Sequence, residues 1–253
     1  MTTTKAPTTM DQQKNDGQQH EEVGRGEILF LDKPLDWTSF DVVKRVRSIL
    51  QIRRIGHAGT LDPKATGLLI VCTGRQTKNI HEFVGLEKEY VGTMELGVIT
   101  PSFDSETEPT ERRSWSDVTR EKIEEASLKF VGRQLQVPPM YSASKYGGKP
   151  LYKYARKGRT VPREPKEIEV ADFEIRNVVL PFVDFRITCS KGTYIRSLVH
   201  ELGQALGCGA TLKALRRTRI GAHTVEAAMT LEELSLQRTK LKKPAETDHA
   251  RHG

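Results

Sequence analysis

The segment from Gly56 to Leu69, which reads GHAGTLDPKATGLL, has the composition of an active-site loop. It places one carboxylate, Asp62, in a stretch too rich in glycine and proline to be helix or strand. The apolar run Leu68–Cys72 follows and predicts a buried strand. Catalytic residues favour loops held by rigid scaffolds, and glycine lets the backbone approach a ligand closely. A carboxylate held there can act as a nucleophile or as a base, although an Asp-Pro pair alone is also typical of an ordinary turn.

A second segment, Val137–Arg159, combines aromatic and basic residues. It interleaves four tyrosines with six cationic side chains: Lys145, Lys149, Lys153, Arg156, Lys157 and Arg159. Aromatic faces stack on unpaired bases while cations contact phosphates, so this composition suits single-stranded or looped RNA. An exposed basic loop whose tyrosines pack against each other has the same composition, and the residues alone favour neither interpretation.

The composition of the whole chain is basic. Its 253 residues include 40 Lys and Arg against 33 Asp and Glu, a formal charge of +7, which is compatible with a phosphate-backbone partner. The cysteines, at positions 72, 189 and 208, form no CxxC pair. The sequence therefore predicts neither a disulfide framework nor a zinc site, which suits a reducing cytoplasm.

The two ends of the chain differ in composition from its middle. Residues 1–25 contain almost nothing apolar and residues 237–253 are polar and basic, so both are expected to be disordered tails. Globular sequence occupies residues 26–236, with the basic, tyrosine-rich segment as an insertion at about 137–165. Because no signal-peptide core or membrane-length apolar run occurs, a cytoplasmic protein without membrane contact is expected.

Near the start of the globular part, a strand is predicted over Glu27–Leu31 and a helix follows Ser39, its expected N-cap. The buried face of that helix is expected to contain Phe40, Val43, Val46, Ile49 and Leu50. Lys44, Arg45 and Arg47 lie on or beside its other face, and a solvated surface is their usual explanation. Arg53 and Arg54 extend this basic run to the Asp62 loop.

Helix and strand patterns interleave along the rest of the chain. Further helices are predicted over Gln76–Val84, Thr119–Val131 and Thr193–Leu206. Residues alternate from Tyr90 to Val98, and strands 168–179 and 182–189 are joined by a turn too short for a parallel crossover. The sequence therefore predicts an α+β fold with a mixed, largely antiparallel central sheet flanked by helices.

Four blocks, in order along the chain, resemble those of the TruB family of tRNA pseudouridine synthases. They are Leu31–Val43, the Asp62 loop, Lys88–Gly97 and Cys189–Leu198, and the shorter stretches Pro138–Lys145 and Leu212–Gly221 add to them. The resemblance covers nearly all of the globular part. It implies the pseudouridine-synthase fold and the family's activity, which isomerises uridine 55 in the T loop of tRNA.

The resemblance implies three catalytic residues. Asp62 matches the family's catalytic carboxylate, Arg196 matches the arginine paired with it, and Tyr90 matches the tyrosine that stacks on the target base and is a candidate to take the C5 proton. A fixed guanidinium is expected to keep the carboxylate ionised by lowering its pKa. The reaction transfers no electron and loses no group, so no cofactor and no metal are expected.

Five more residues are implied to bind the substrate. His57 matches a histidine that occupies the space vacated by the flipped-out nucleotide, and Tyr194 and Leu215 match positions that line the uracil pocket. Lys33 and Lys64 are expected to contact phosphates. Each has an ordinary alternative as a core or solvent-facing residue.

Many bacterial members continue into a small C-terminal RNA-binding domain of the PUA type, and the roughly 30 residues after Gly221 are too few for one. The expected partner is therefore the T arm of tRNA, bound by the catalytic domain and its insertion, and the protein is expected to be a monomer that needs no protein partner. Two alternatives are a tRNA-folding chaperone and a guide-RNA-dependent pseudouridine synthase. The intact Asp62–Tyr90–Arg196 set favours an enzyme, and the missing PUA domain argues against guide-RNA dependence.

Overall fold

The computed structural model describes residues 26–242, which form a central mixed sheet flanked by helices. Its strands are β1 (Ile28–Lys33), β2 (Ile55–Ala58), β3 (Ala65–Thr73), β4 (Lys88–Leu96), β5 (Val98–Ile99), β6 (Glu111–Arg112), β7 (Gly132–Gln136), β8 (Lys145–Tyr146), β9 (Lys149–Pro150), β10 (Lys166–Val179), β11 (Phe182–Cys189), β12 (Ala210–Ile220) and β13 (His223–Thr224).

The strand order of the large sheet is β1-β3-β12-β4-β11-β10-β7, with β2 paired to β3 and β13 paired to β12. Strands β3 and β12 are parallel, and the other pairs in this sheet are antiparallel. The α+β class and the largely antiparallel sheet are thus confirmed, as is the hairpin of β10 and β11. Strands β5 and β6 form a separate small pair, and so do β8 and β9.

The described residues also form helices. They are α1 (Ser39–Leu50), α2 (Ile80–Gly85), α3 (Arg120–Leu128), α4 (Tyr152–Ala155), α5 (Ile195–Ala205) and α6 (Leu231–Lys242). The largest apolar core includes residues of α3, α5 and strands β4, β10, β11 and β12. Among residues 26–242, no helix combines the length and apolar character that crossing a membrane requires.

Helix α1 differs from the prediction at its start and in its buried face. Thr38, and not Ser39, is the N-cap: its hydroxyl accepts from the Asp41 amide at 3.0 Å, and the Asp41 carboxylate accepts from the Thr38 amide at 3.0 Å. Phe40 is 65% exposed. The buried positions 39, 42, 43 and 46 follow the i, i+3, i+4, i+7 spacing of one helical face, and Phe40 lies outside it.

The predicted start of the second tail at residue 237 was wrong, because α6 continues to residue 242. Leu231 and Leu234 are buried in a cluster with apolar residues of α1, and the Arg238 guanidinium pairs with the Glu27 carboxylate. These contacts hold the helix against the start of the fold. The rest of both predicted tails, residues 1–25 and 243–253, lies outside the described residues.

The sheet register brings the start of β3 beside the middle of β12 and β4. Leu215 of β12 lies opposite Ala65 of β3 on one side and Gly92 of β4 on the other. Arg217, two residues further along β12, lies opposite Tyr90. Strand β3 begins at Ala65, three residues before the predicted start, so the Asp62 loop ends directly beside this central region.

Candidate active site

A cavity of about 380 Å³ opens where the Asp62 loop, strands β4 and β12 and the N-terminal end of α5 meet. Five of the predicted site residues line it: Asp62, Tyr90, Tyr194, Arg196 and Leu215. Its volume lies within the range of ~300–1,000 Å³ that is usual for small-molecule sites. Residues 26–242 contain no cluster of three or more His, Cys, Asp or Glu positioned to hold a metal ion.

An ion pair between Asp62 and Arg196 lies in this cavity. The Arg196 Nε donates to the Asp62 carboxylate at 2.8 Å, while its Nη1 donates to the Ser102 carbonyl at 2.7 Å and its Nη2 to the Tyr141 carbonyl at 2.8 Å. The Arg196 side chain is 3% exposed and that of Asp62 is 37% exposed. The guanidinium is therefore fixed on three sides, and the carboxylate that it orients remains accessible from the cavity.

The electrostatics of Asp62 differ from the expectation. Burial raises the pKa of its carboxyl from the ordinary value, the Arg196 cation opposes this rise, and nearby Asp104 adds to it. The prediction that Arg196 lowers the pKa identified a real contribution, but the loss of hydration outweighs it. The carboxyl is consequently easier to protonate than an ordinary aspartic acid.

A buried carboxylate that the sequence analysis missed lies behind Arg196. The Asp104 carboxylate is 3.4 Å from the Arg196 Nε and accepts hydrogen bonds from the Ser102 hydroxyl and the Glu106 amide. Between Ser102 and Asp104, Phe103 adopts a φ of 64° and stacks on His200 of α5 at 3.9 Å between ring centroids. A non-glycine residue at positive φ is uncommon, and no sequence pattern marks this turn.

Two neighbouring segments hold the Asp62 loop in place. The Ser39 hydroxyl donates to the Leu61 carbonyl at 3.2 Å and accepts from the Leu61 amide at 2.9 Å. On the other side of Asp62, the Asp36 amide donates to the Pro63 carbonyl at 3.0 Å. The backbone on both sides of the catalytic candidate is therefore held by hydrogen bonds, from a serine hydroxyl at Leu61 and from a backbone amide at Pro63, although the loop itself is rich in glycine.

Lys33 belongs to this support and is not available to a phosphate, so the prediction for it was wrong. Its side chain is fully buried, and its Nζ donates to the carbonyls of Pro34 at 2.8 Å, Trp37 at 2.5 Å and Pro63 at 3.3 Å. Burial lowers the pKa of Lys33 to about 8, with Asp62 acting in the opposite direction. Three carbonyl acceptors take up the three donors of the ammonium.

Arg217 is a second cavity residue that the sequence analysis missed. It is 1% exposed, and it donates from Nε to the Leu68 carbonyl at 2.7 Å and from Nη2 to the Gly59 carbonyl at 3.1 Å. It lies beside Tyr90, whose phenol pKa is raised by burial against the opposing effect of Arg217. The only available signal was its spacing, because positions 215 and 217 of a strand share one face.

Tyr194 joins the basic, tyrosine-rich segment to helix α5. Its amide donates to the Gln136 side chain at 2.8 Å, the Gln136 amide group donates back to the Tyr194 carbonyl at 3.0 Å, and its hydroxyl lies 2.9 Å from the Ser144 hydroxyl. Leu215 is buried beneath the same cavity. The structure thus places both predicted pocket residues at the cavity wall.

Lys64 and His57 lie outside this cavity lining. The Lys64 ammonium pairs with the Asp36 carboxylate at 2.7 Å, is 40% exposed, and lines a second cavity together with Leu215. His57 lies on strand β2 opposite Val71, and burial lowers the pKa of its imidazole, with the Arg217 cation adding to this effect. The Nδ1 atom of His57 is buried without a hydrogen-bond partner in the described part of the chain.

Two family models together match most of the chain. The TruB family pseudouridylate synthase N-terminal domain matches residues 47–195, and the tRNA pseudouridylate synthase B C-terminal domain matches residues 196–249. The chain belongs to the TruB family.

Curated relatives named tRNA pseudouridine synthase B agree with this membership. The protein of Chloroherpeton thalassium is 46% identical over 230 residues, which cover 89% of this chain and 94% of that one. The protein of Chlorobium luteolum is 51% identical over 213 residues, covering 82% and 74% of the two chains. The protein of Parabacteroides distasonis is 48% identical over 215 residues, covering 83% and 92%.

Solved structures show that this TruB-family chain shares its fold with chains of multi-component complexes. A chain in the crystal structure of a Cbf5-Nop10-Gar1 complex is 33% identical with a TM-score of 0.67, and 85% of the present chain covers 55% of it. A chain in an H/ACA RNP bound to a substrate RNA containing 2'-deoxyuridine is 30% identical with a TM-score of 0.64. The present chain spans 54% of that second chain, about half of its length.

The basic, tyrosine-rich segment forms the β8–β9 hairpin and the short helix α4. Its tyrosines contact one another and their neighbours: Tyr146 and Tyr154 pack edge to face at 6.0 Å, and the Arg156 guanidinium lies 5.3 Å from the Tyr152 ring centroid. Arg156 also pairs with Glu106 at 3.0 Å. Local packing thus accounts for part of the aromatic content, whereas Lys145, Lys149 and Lys153 remain exposed.

Proposed function

We propose that this protein isomerises uridine 55 in the T loop of tRNA to pseudouridine, with Asp62 as the catalytic carboxylate. The observation that carries the proposal is the Asp62–Arg196 pair, in which a half-buried carboxylate is oriented by a fixed guanidinium inside a cavity of nucleoside-binding size. The names of the curated relatives support tRNA as the substrate class.

The reaction breaks the N1–C1′ bond of the target uridine, rotates the uracil, forms a C5–C1′ bond and moves the proton from C5 to an acceptor. The net change is an isomerisation, so the chain's own side chains suffice as catalytic groups. An ionised Asp62 can either attack C1′ or remove the 2′ proton, and both routes need the carboxylate in its charged form.

The other cavity residues have distinct proposed roles. The phenol of Tyr90 is neutral, and burial raises its pKa further above the ordinary value of 10, which suits stacking on the rotating uracil. To take the C5 proton, this phenol must pass its own hydroxyl proton to another acceptor in the same step. Tyr194 and Leu215, which line the cavity, are proposed to contact the uracil. The target base must leave the RNA stack at a cost of a few kcal/mol. His57 is proposed to fill the space that the base vacates, which offsets part of this cost.

Phosphate contacts are proposed for Lys64, on the far side of Asp62, and for Lys191, which is exposed at the cavity wall. The exposed lysines of the 137–165 segment would extend these contacts along the RNA. The Ser144–Tyr194 contact and the Tyr141 carbonyl that accepts from Arg196 connect that segment directly to the catalytic pair.

The decisive experiment incubates the purified chain alone with an unmodified tRNA transcript that carries tritium at C5 of its uridines. Tritium release, lost in a transcript with cytidine at position 55, is the expected result. Asp62→Asn should abolish release while retaining tRNA binding, because it removes a charge at nearly constant volume. Asp117→Asn, an exposed aspartate before helix α3, is the matched control.

Guide-RNA dependence is the second candidate, because two of the solved relatives are subunits of multi-component assemblies. Release that appears only after a guide RNA is added would favour it. A chaperone acting without catalysis would be favoured if Asp62→Asn promoted tRNA folding as well as the unsubstituted protein did while neither released tritium.

A further inference from the structure

The surface beside helix α1 has a feature that the proposed reaction does not use. Three apolar side chains that lie close together in sequence are exposed there: Leu35 at 55%, Trp37 at 36% and Phe40 at 65%. A groove of about 460 Å³ begins at Trp37 and continues along Lys44, Arg45 and Ser48. Contiguous apolar patches on the surface of a protein often mark an interaction site.

The charges next to this groove are unbalanced. Lys44, Arg45, Arg47, Arg53 and Arg54 form a run along α1 and the loop after it, and within residues 26–242 none of the five pairs with a carboxylate. Of the two acidic residues of the groove, Asp36 pairs with Lys64, while Asp41 caps the helix with the neutral Thr38 and keeps its charge near Lys44. The five cations outnumber this one carboxylate, so an anionic occupant would meet a net positive charge.

The end of the groove at Trp37 is preorganised. The Lys33 ammonium holds the Trp37 carbonyl, and the capping box of Thr38 and Asp41 fixes the chain immediately after it. Trp37 and Lys44 both line the groove, so an aromatic face and a cation border the same space. A binder of an unpaired nucleotide needs this combination, in which the base stacks on an aromatic ring and its phosphate meets a cation.

The same turn is hydrogen-bonded to the catalytic loop. Asp36 and Ser39, on either side of Trp37, contact Pro63 and Leu61, which flank Asp62. Hydrogen bonds therefore connect the start of the groove to the active-site loop. An RNA whose target nucleotide entered the Asp62 cavity would have neighbouring nucleotides close to this surface.

We infer that the groove formed by Trp37, Lys44, Arg45 and Ser48 binds an unpaired nucleotide of the substrate RNA other than the one that is isomerised. The base stacks on Trp37, and phosphates on either side contact Lys44 and Arg45. The inference rests on the proposed function for the choice of RNA as the occupant. It assigns to this surface a role in holding the RNA separately from the chemistry at Asp62.

Tryptophan fluorescence tests the stacking directly, because the chain has two tryptophans, Trp37 and Trp115. In a Trp115→Phe protein, a T-arm RNA hairpin should quench the Trp37 emission, and a fully paired RNA duplex or inorganic polyphosphate should not. Should Trp115→Phe fail to fold, the difference in quenching between the unsubstituted protein and Trp37→Phe gives the same quantity. Trp37→Ala should weaken the Kd for the hairpin by about 5- to 150-fold.

The proposed phosphate contacts of Lys44 and Arg45 are tested with the double variant Lys44→Gln/Arg45→Gln. The slope of log Kd against log salt should become shallower by roughly 1.4 to 1.8, since each lost phosphate contact removes about 0.7 to 0.9. Lys122→Gln/Lys129→Gln near helix α3 removes the same charge and should leave the slope unchanged. These readouts need no turnover, so a failure of isomerisation would count against the proposed function and not against this site.

An unchanged slope in the Lys44→Gln/Arg45→Gln protein, or RNA binding without a change in Trp37 emission, would overturn the inference. Concentration-dependent quenching without RNA would also overturn it, because it would identify a second copy of the chain as the occupant. Quenching by polyphosphate alone would show that the site selects anions and not bases.

Discussion

Replacing Arg196 by lysine keeps the positive charge but removes the planar fork that makes three contacts. In the structure these contacts go to the Asp62 carboxylate and to the carbonyls of Ser102 and Tyr141, at 2.7 to 2.8 Å. An ammonium on a flexible stem cannot donate in all three directions at once. We therefore expect Arg196→Lys to lose both the orientation of Asp62 and the hydrogen bonding of two carbonyls.

The size of the effect follows from burial. An unsatisfied buried acceptor costs about 1–3 kcal/mol, and because Ser102 is buried while Tyr141 is half-buried, we expect the free energy of unfolding to fall by about 2–4 kcal/mol. Loss of one preorganised donor at a reacting charge typically costs ~10²–10³-fold in rate. A decrease of that order is expected in the single-turnover rate of isomerisation.

Denaturant titration measures the free energy of unfolding. Tritium release from C5 at saturating enzyme measures the single-turnover rate. Arg186→Lys is the matched control. The Arg186 side chain is 30% exposed and also makes several ion pairs, with Glu89, Asp172 and Glu174. Exposed pairs contribute about 0–1 kcal/mol. An unaltered rate in a destabilised Arg196→Lys protein would reduce Arg196 to a structural residue, and an unaltered stability would refute the assigned hydrogen bonds.

Three further outcomes are expected. The single-turnover rate should fall on acidification with a midpoint above the ordinary carboxyl value of 3.8, because burial raises the pKa of Asp62; a midpoint at or below 3.8 would contradict this. Tyr90→Phe should slow tritium release by ~10²–10⁴-fold without weakening the Kd for tRNA, and equal losses in both would limit Tyr90 to binding. Lys145→Gln/Lys149→Gln/Lys153→Gln should flatten the salt dependence of tRNA binding by roughly 0.7–0.9 per lost phosphate contact. An unchanged slope would make that segment an ordinary solvated loop.

The sequence predicted the features that depend on local pattern. Alternation from Tyr90 identified strand β4, and the short turn between residues 179 and 182 identified an antiparallel hairpin. The Gly-rich run identified the loop around Asp62, although its first and last residues belong to strands β2 and β3. Each of these signals is a property of neighbouring residues, so no tertiary information was needed. The cavity lined by Asp62, Tyr90 and Arg196 was expected only through the family resemblance.

The features that the sequence did not predict depend on long-range contacts. The residue types of Lys33 and Arg217 predict exposed side chains. Both are nevertheless buried, because backbone carbonyls from distant segments accept hydrogen bonds from them. Phe40 is apolar but lies off the face that packs on the fold. The part of helix α6 after residue 236 is mostly polar. The helix is held in place by Leu231 and Leu234 in its first turn, which are buried against the fold.

The charges that line the active-site cavity explain how a site built around a carboxylate can attract a polyanion. Asp62 is the single acidic residue among the described lining residues, and Arg196 is its ion-pair partner. The other three cations of the lining, Lys88, Lys191 and Arg217, have no carboxylate in the lining to balance them. Burial lowers the pKa of Lys88 to about 8, so it remains largely protonated at pH 7. Because Lys88 and Arg217 donate to backbone carbonyls and not to carboxylates, their fields are not cancelled locally and reach the cavity. The repulsion between Asp62 and an incoming phosphodiester is thereby offset without a cation having to leave its structural contacts.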